Sequence, residues 1–171
     1  MLGKLLIPDK IFGDIYEITP EFLLSQNIRG LVLDIDNTLV TYDDPTPTPS
    51  VQKWFDEMAA ADIKIAFVSN NDRERVEKFN RELGYFGVGK SGKPFGKNIR
   101  RAMEYMGTDE QNTALIGDQL FTDIMAGKLA HLRASYLVPP IKDKLTLFFR
   151  AKRKLEKPYI KKYYKIHGEN K

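Results

Sequence analysis

Two carboxylates separated by one residue, Asp34 and Asp36, follow the apolar run Gly30–Leu33. At a strand end, residues i and i+2 lie on the same side, so these charges repel unless a cation lies between them. Asp118 follows another apolar run and would complete an oxygen-rich site that suits Mg²⁺. The chain has no cysteine and two histidines, which disfavours zinc. The first two aspartates alone would equally suit a turn and a helix cap.

Three further polar residues follow apolar or glycine-rich stretches and suit a phosphoryl group. Ser69 and Asn70 end the run that begins at Ile63, and Lys93 lies in a glycine-rich segment. Uncharged donors and a mobile ammonium are the groups that stabilise nonbridging phosphoryl oxygens. Lys93 alone, before Pro94, would be typical of a surface loop. Together with the carboxylates, these residues predict phosphoryl transfer.

Apolar runs alternate with segments of helical spacing along most of the chain. Alternation of this kind predicts an α/β fold, with a doubly wound parallel sheet and right-handed crossovers. Ligands bind at the carboxyl ends of such strands, where the polar residues described above fall. We expect Asn71 to cap the second helix and Gly84 to end it. The expected strands are Gly30–Leu33, Ile63–Val68, Thr113–Ile116 and Ala134–Val138, and the expected helix positions are Val51/Trp54/Phe55/Met58, Val76/Phe79/Leu83, Ile99/Ala102/Met103/Met106 and Leu120/Ile124.

Four motifs occur in a fixed order: LVLDIDNTLV (31–40), AFVSNN (66–71), GKP (92–94) and ALIGDQLFTD (114–123). In this combination the chain resembles the haloacid dehalogenase superfamily of phosphatases. The stretch IYEITPEFLLSQNIRGLVLDIDNTLV (15–40) resembles more closely the capless bacterial branch related to mitochondrial phosphatidylglycerophosphate phosphatase. The resemblance implies a Rossmann-like haloacid dehalogenase fold without a cap domain.

The resemblance also implies roles for individual residues. Asp34 would attack phosphorus and form an aspartyl phosphate, and Asp36 would act as general acid and base. Mg²⁺ would bind Asp34, Asp118 and the main-chain carbonyl of Asp36, with Lys93 balancing the negative charge. Thr38, Ser69 and Asn70 would bind the phosphoryl group, and Asp123 would be a supporting acid. A covalent route splits one slow hydrolysis into two displacements that use the same groups.

The spacing of the motifs leaves no room for a cap. Thr38 and Ser69 are 31 positions apart, and Asn71 and Lys93 are 22 apart. Both intervals are largely filled by a loop, a helix and a strand. We therefore expect one domain over 1–171, with a core at about 15–140 and an open site. Such a site favours a lipid head group such as phosphatidylglycerophosphate, a macromolecule, or closure by a neighbouring subunit; soluble sugar or nucleotide phosphates remain the alternative.

Two other classes of function compete with this interpretation. The stretch from Gly84 to Ser91 matches the P-loop pattern GxxxxGKS, but a helical stretch precedes it and Gly92 and Pro94 follow. A P-loop needs a strand before it and a helix at its Lys-Ser, so nucleotide hydrolysis is disfavoured. The other class is a phosphoacceptor or nucleic-acid-binding module without catalysis.

Charge is unevenly distributed between the body and the tail. Residues 1–140 carry 16 Lys and Arg against 20 Asp and Glu, whereas 141–171 carry 11 against 3. This basic amphipathic tail suits peripheral contact with an anionic membrane; alternatively its apolar part, Leu145–Phe149, packs on the sheet while the lysines stay solvated. We expect Pro158 to end that helix. The apolar run Leu5–Ile7 is too short for a signal peptide or a span, so we expect a cytoplasmic protein, with contact at the inner face of the membrane.

Overall fold

The computed structural model describes residues 2–142 and 146–168, without the side chain of Leu2. A turn of 3₁₀-helix lies at Ile15–Glu17 and a π-helical turn at Leu120–Ile124. The strands of this part of the chain are β1 Lys10–Ile11, β2 Gly30–Leu33, β3 Lys64–Val68, β4 Phe86–Val88, β5 Thr113–Gly117 and β6 Ala134–Leu137. Its helices are α1 Leu2–Leu5, α2 Pro20–Ser25, α3 Pro49–Ala60, α4 Arg73–Asn80, α5 Lys97–Met106, α6 Met125–Leu129 and α7 Leu147–His167.

The strands form one sheet in the order β1-β6-β5-β2-β3-β4, and every pairing is parallel. The chain therefore moves outward from β2 through β3 to β4, then crosses back to β5 on the other side of β2. That reversal places the carboxyl ends of β3 and β5 on either side of the end of β2. The predicted doubly wound parallel fold is confirmed. The short edge strands β1 and β4 had no predicted counterpart, because each offers only two or three residues.

Alternating strand residues build a core on each face of the sheet. Leu31 and Leu33 pack with α3 and α4, whereas Val32 packs with α5 on the opposite face. The predicted helix positions are buried as expected except Leu83, which follows α4 and is half-buried. Trp54 of α3 is among the buried residues, and its indole N–H donates to the Ile18 carbonyl at 2.9 Å. Residues 38–93 are all described and contain α3, β3, α4 and β4, with no separate domain between the motifs.

Two predicted boundaries of α4 are wrong. The helix is capped at Asp72, and Asn71 instead points its side chain towards Asp36. The helix ends at Asn80, four residues before Gly84, because the Asn80 side chain hydrogen-bonds both backbone groups of Tyr85 and fixes a turn there. Gly84 takes φ +68° in that turn, a conformation that favours glycine.

The tail forms α7, which continues through Pro158, so the prediction that this proline ends the helix is wrong. Pro158 removes a hydrogen bond to the Lys154 carbonyl, but both residues are exposed and water can replace it. Leu147 and Phe148 are exposed rather than packed on the sheet, and Leu145 lies outside the described residues. None of the helices within 2–142 and 146–168 is both long and apolar enough to cross a membrane.

Gly117 ends β5 directly beneath the site, and a methyl group there would lie 2.3 Å from Cβ of Asp123. We expect Gly117→Ala to lower the free energy of unfolding by about 1–3 kcal/mol, because the main chain has to shift to relieve the overlap. Urea unfolding followed by circular dichroism measures this. The matched control is Gly3→Ala, since a methyl group at Gly3 meets nothing within 4 Å; equal stability of the two variants would contradict the packing argument.

Candidate active site

The site lies where the ends of β2, β3 and β5 meet. Asp34 follows β2, Ser69 follows β3 and Asp118 follows β5. After Asp36 the chain reverses through Asn37, which takes φ +64°, a conformation that asparagine tolerates better than most residues. This turn places the hydroxyl of Thr38 3.3 Å from Asp34 Oδ2, to which it donates. Asp34 thus lies at the centre of the sheet, with polar residues on both sides.

Lys93 joins two carboxylates in the interior. Its Nζ lies 2.8 Å from Asp34 Oδ1 and 2.7 Å from Asp123 Oδ1, and its side chain is 2% exposed. The other oxygen of Asp123 accepts from the backbone N–H of Gln119 at 3.1 Å. Asp123 is therefore in direct contact with the predicted catalytic lysine.

Asp118 is paired by Arg153 of α7. The guanidinium donates to Asp118 Oδ2 and, at 2.6 Å, to its main-chain carbonyl. The remaining oxygen, Oδ1, is buried and has no hydrogen-bond partner among the described residues. A buried carboxylate oxygen without a partner is costly unless a cation or water binds it.

Carboxylate oxygens of Asp34, Asp118 and Asp123 all lie within 4.8 Å of one another. Three buried carboxylates at this spacing, with the open Oδ1 of Asp118, fit a hard divalent cation bound through oxygen. The resemblance implied a metal site of Asp34, Asp118 and the main-chain carbonyl of Asp36, with Asp123 in support. The structure brings Asp123 into the group, whereas the side chain of Asp36 lies outside it.

Asp36 is held by two residues that the sequence analysis did not assign to the site. Arg75 approaches Oδ1 at 3.0 Å through Nε and at 2.9 Å through Nη2, and Asn71 donates to Oδ2 at 2.8 Å. Arg75 lies on the first turn of α4, and its only signal in sequence would have been its position four residues after Asn71. Charged residues on the first turn of a surface helix are too common for that signal to be specific.

Asn70 fixes the segment that carries Lys93. Its side-chain oxygen accepts from the Lys93 N–H and the Ser91 hydroxyl, both at 2.8 Å, and its amide donates to the Lys93 carbonyl at 3.0 Å. Phosphoryl binding by Asn70 stays a prediction, but these bonds already give it a positioning role. The Ser69 oxygen accepts from the Asn71 N–H at 3.1 Å, which leaves its hydroxyl proton free to donate.

These residues surround a cavity of about 300 Å³ at the end of the sheet. Tyr42, Phe149 and Lys152, which the sequence analysis did not place here, also line it. A larger cavity of about 550 Å³ lies on the other flank of α7; Asp118 and Arg153 line it together with apolar residues such as Leu137 and Ile160. The smaller cavity is the candidate site of the chemistry, because its lining includes Asp34, Asp36, Lys93, Ser69, Asn70 and Asp123.

Burial and mutual repulsion control the protonation of the carboxylates. Burial raises the pKa of Asp34 to about 6, although Lys93 opposes the shift. Burial also raises the pKa of Asp118 to about 8, with Asp123 and Asp34 adding to the effect. Burial by itself lowers the pKa of Lys93, but Asp123 and Asp34 outweigh this and raise it. Lys93 therefore remains charged.

A profile of haloacid dehalogenase-like hydrolases matches residues 40–131. The chain belongs to this hydrolase family. The matched range begins after the segment from Asp34 to Thr38. Side-chain contacts such as the ion pair between Asp34 and Lys93 connect that segment to the matched residues. The probable phosphatase YqeG of Bacillus subtilis is 40% identical over 139 residues, which cover 81% of each chain. The predicted enzyme class, a phosphatase of the haloacid dehalogenase superfamily, is confirmed.

Two solved phosphatase structures share this fold. A cobalt-bound deoxy-D-mannose-octulosonate 8-phosphate phosphatase from Haemophilus influenzae superposes with a TM-score of 0.54 at 16% identity, covering 81% of this chain and 90% of that one. A 4-nitrophenylphosphatase from Thermotoga maritima superposes with a TM-score of 0.50 at 14% identity, covering 70% and 89%. The P-loop alternative fails in the structure, because β4 lies inside the GxxxxGKS stretch and the next helix, α5, begins only at Lys97.

The raised pKa of Asp34 gives a test of the electrostatics in the absence of metal. A folded-state pKa of about 6 against an ordinary 3.8 means that the folded protein binds this proton more tightly than the unfolded chain. The contribution of Asp34 to stability therefore falls as pH rises between these values and stays lower above about 6. We expect the free energy of unfolding of Asp34→Asn to be about 1–3 kcal/mol higher than that of the wild type near pH 8. Below about pH 4 the two free energies should be equal.

Thermal and urea unfolding in a chelating buffer at several pH values measures this difference. Glu110→Gln, which removes an exposed carboxylate, is the matched control and should show no such pH dependence. A constant difference between Asp34→Asn and wild type across the range would contradict the raised pKa of Asp34.

Proposed function

We propose that this hydrolase is a capless, Mg²⁺-dependent phosphomonoesterase that acts through an aspartyl phosphate on Asp34. The observation that carries the proposal is the buried Asp34 carboxylate, held by Lys93 at 2.8 Å and grouped with Asp118 and Asp123. The absence of a separate domain within residues 38–93 supports assignment to the capless branch.

The oxygen-only donor set supports Mg²⁺ as the metal. Asp34, Asp118 and the main-chain carbonyl of Asp36 would hold it, and the unpartnered Oδ1 of Asp118 is the best-prepared ligand atom. A bound divalent ion would offset the negative charge of the phosphoryl oxygens and of the carboxylates around them.

The residues of the chain divide the chemistry between them. Asp34 attacks phosphorus and the ester bond breaks; the leaving oxygen takes a proton from Asp36. Asp36 then removes a proton from the water that hydrolyses the aspartyl phosphate. Lys93 offsets the negative charge on Asp34 and the phosphoryl oxygens, while Thr38 and Ser69 donate hydrogen bonds to those oxygens.

The surroundings of Asp36 set a condition on its role. Both of its oxygens already accept hydrogen bonds, from Arg75 and Asn71. Arg75 fills both lone pairs of Oδ1, whereas Oδ2 accepts among the described residues only from Asn71 and keeps one lone pair. Oδ2 is therefore the oxygen that would carry the proton to the leaving group, and Asn71 lines the cavity beside it.

Phosphatidylglycerophosphate is the substrate that we favour, in keeping with the resemblance of residues 15–40 to the phosphatidylglycerophosphate phosphatase branch. The larger cavity beside the site is lined mainly by apolar side chains, which suits an amphiphilic ester. A panel of lipid, sugar and nucleotide phosphomonoesters tests this preference, since the alternative is a soluble sugar or nucleotide phosphate.

Replacement of the nucleophile tests the mechanism. We expect Asp34→Asn to reduce phosphate release from phosphatidylglycerophosphate in mixed micelles by at least about a thousandfold, because an amide is a poor nucleophile. Chelation with EDTA should have a similar effect on the wild type, with recovery on adding Mg²⁺. Retention of more than about a tenth of the activity by Asp34→Asn, or full turnover after exhaustive chelation, would contradict the mechanism.

The outward face of α7 supports peripheral binding to an anionic membrane. Phe148, Leu155 and Ile166 are exposed along one side of the helix. Lys154 and Lys161 are exposed beside this stripe, seven residues apart and therefore on one flank. A helix with exposed apolar residues flanked by cations is typical of membrane-surface binding. Binding of nucleic acid by the same cations is the competing proposal.

Charge reversal on this flank tests the membrane proposal. We expect the triple variant Lys154→Glu, Lys161→Glu and Lys165→Glu to bind phosphatidylglycerol vesicles at least tenfold more weakly at low salt, since each cation near an anionic surface contributes about 1 kcal/mol. Vesicle sedimentation measures this binding. The same changes at Lys53, Lys78 and Arg100, exposed elsewhere, form the charge-matched control; equal loss in both triples, or loss of RNA binding alone, would reject the membrane role.

A further inference from the structure

The first half of α7 forms one wall of the catalytic cavity. Phe149 and Lys152 line it together with Asp34 and Lys93. One turn further on, Glu156 is 1% exposed, and its Oε1 accepts from the Leu120 N–H at 2.9 Å. Its Oε2 pairs with Arg153 at 3.0 Å. These buried bonds fix α7 to the segment after β5, so the wall is a built part of the site.

The cations around the cavity differ in how their charge is balanced. Lys93 pairs with Asp34 and Asp123, Arg75 with Asp36, and Arg153 with Asp118 and Glu156. Lys152 instead donates to the side-chain oxygen of Gln119, which is neutral. Within residues 2–142 and 146–168, no carboxylate lies within ion-pair distance of Lys152. Its ammonium is therefore available to an anion in the cavity.

Lys152 lies nearer the mouth of the cavity than the groups that would bind the reacting phosphoryl group. Asp34, Lys93 and Ser69 are each at most 7% exposed, whereas Lys152 is half-buried. The phosphoryl group already has Lys93, Thr38 and Ser69 as charge and hydrogen-bond partners. A ligand that reaches from Asp34 to Lys152 therefore presents its alcohol portion, not its reacting phosphate, to α7.

We propose that Lys152 is a specificity-determining residue that binds a second anionic group on the leaving alcohol, with Phe149 packing beside that alcohol. The assignment rests on the phosphomonoesterase function proposed above and narrows its substrate class. The preferred substrate is a phosphomonoester whose alcohol also carries a phosphodiester a few bonds from the ester oxygen.

A pair of soluble esters tests this assignment without a membrane. Glycerophosphoglycerol phosphate has a phosphodiester on its alcohol, and glycerol 3-phosphate lacks it. We expect Lys152→Ala to lower kcat/KM for the first ester at least tenfold and for the second less than twofold. Lys152→Arg should restore most of the loss. Lys162→Ala, which removes an exposed lysine from the same helix, should leave both values unchanged.

Binding in the Asp34→Asn background separates this proposal from the proposed function. Calorimetry with glycerophosphoglycerol phosphate should show at least tenfold weaker binding when Lys152→Ala is added, and no change when Lys162→Ala is added. Failure of the wild type to release phosphate from any ester would overturn the phosphomonoesterase proposal, whereas the binding contrast would still decide the role of Lys152. Equal losses for both esters, or unchanged affinity, would overturn the role of Lys152.

Discussion

The burial of four carboxylates in one site is the constraint on which the rest of the structure depends. Asp34, Asp36, Asp118 and Asp123 are each at most 7% exposed. Buried carboxylates repel one another and lose hydration, so each requires a compensating partner. Three cations from distant parts of the chain act as these partners. The electrostatic cost of burial that they do not offset raises the pKa values of Asp34 and Asp118. A divalent cation bound among these groups would reduce that cost, and the metal-free fold is thereby prepared for it.

The sheet serves this constraint by its strand order. Because β2 lies between β3 and β5, the residues after these three strands meet without any long excursion of the chain. The end of β5 packs so closely against Asp123 that residue 117 has room only for the hydrogen atom of a glycine, not for a side chain. Asn70 also contributes, because its side-chain amide hydrogen-bonds the main chain of Lys93 and fixes the segment that carries this residue. Backbone geometry and one amide thus position the pair Lys93 and Asp34.

The sequence was sufficient to predict the central strands and most of the helix faces, because these depend on local patterns. The roles of the eight site residues stay predictions that rest on short motifs. The sequence could not predict Arg75 or Arg153, whose roles depend on which residues the fold brings opposite them. Arg153 is 35 positions from Asp118. The end of α4 also could not be predicted from the local sequence, because Asn80 and Gly84 are both typical of a helix end. The hydrogen bonds of Asn80 with Tyr85 decide between them. Pro158 was misjudged because exposure to water makes its missing hydrogen bond inexpensive.

The cations of the basic tail form two groups, one that faces the site and one that faces solvent. The body has an excess of acidic residues, and part of the positive charge of the tail compensates them directly: Arg153 pairs with Asp118, and Lys152 faces the cavity. Lys154 and Lys161, on the outward side, remain solvated and keep the helix cationic towards any surface that it meets. One helix therefore joins the interior of the site to an exposed basic face. Under the two proposals made for this helix, α7 would be the element where substrate choice and surface binding are coupled.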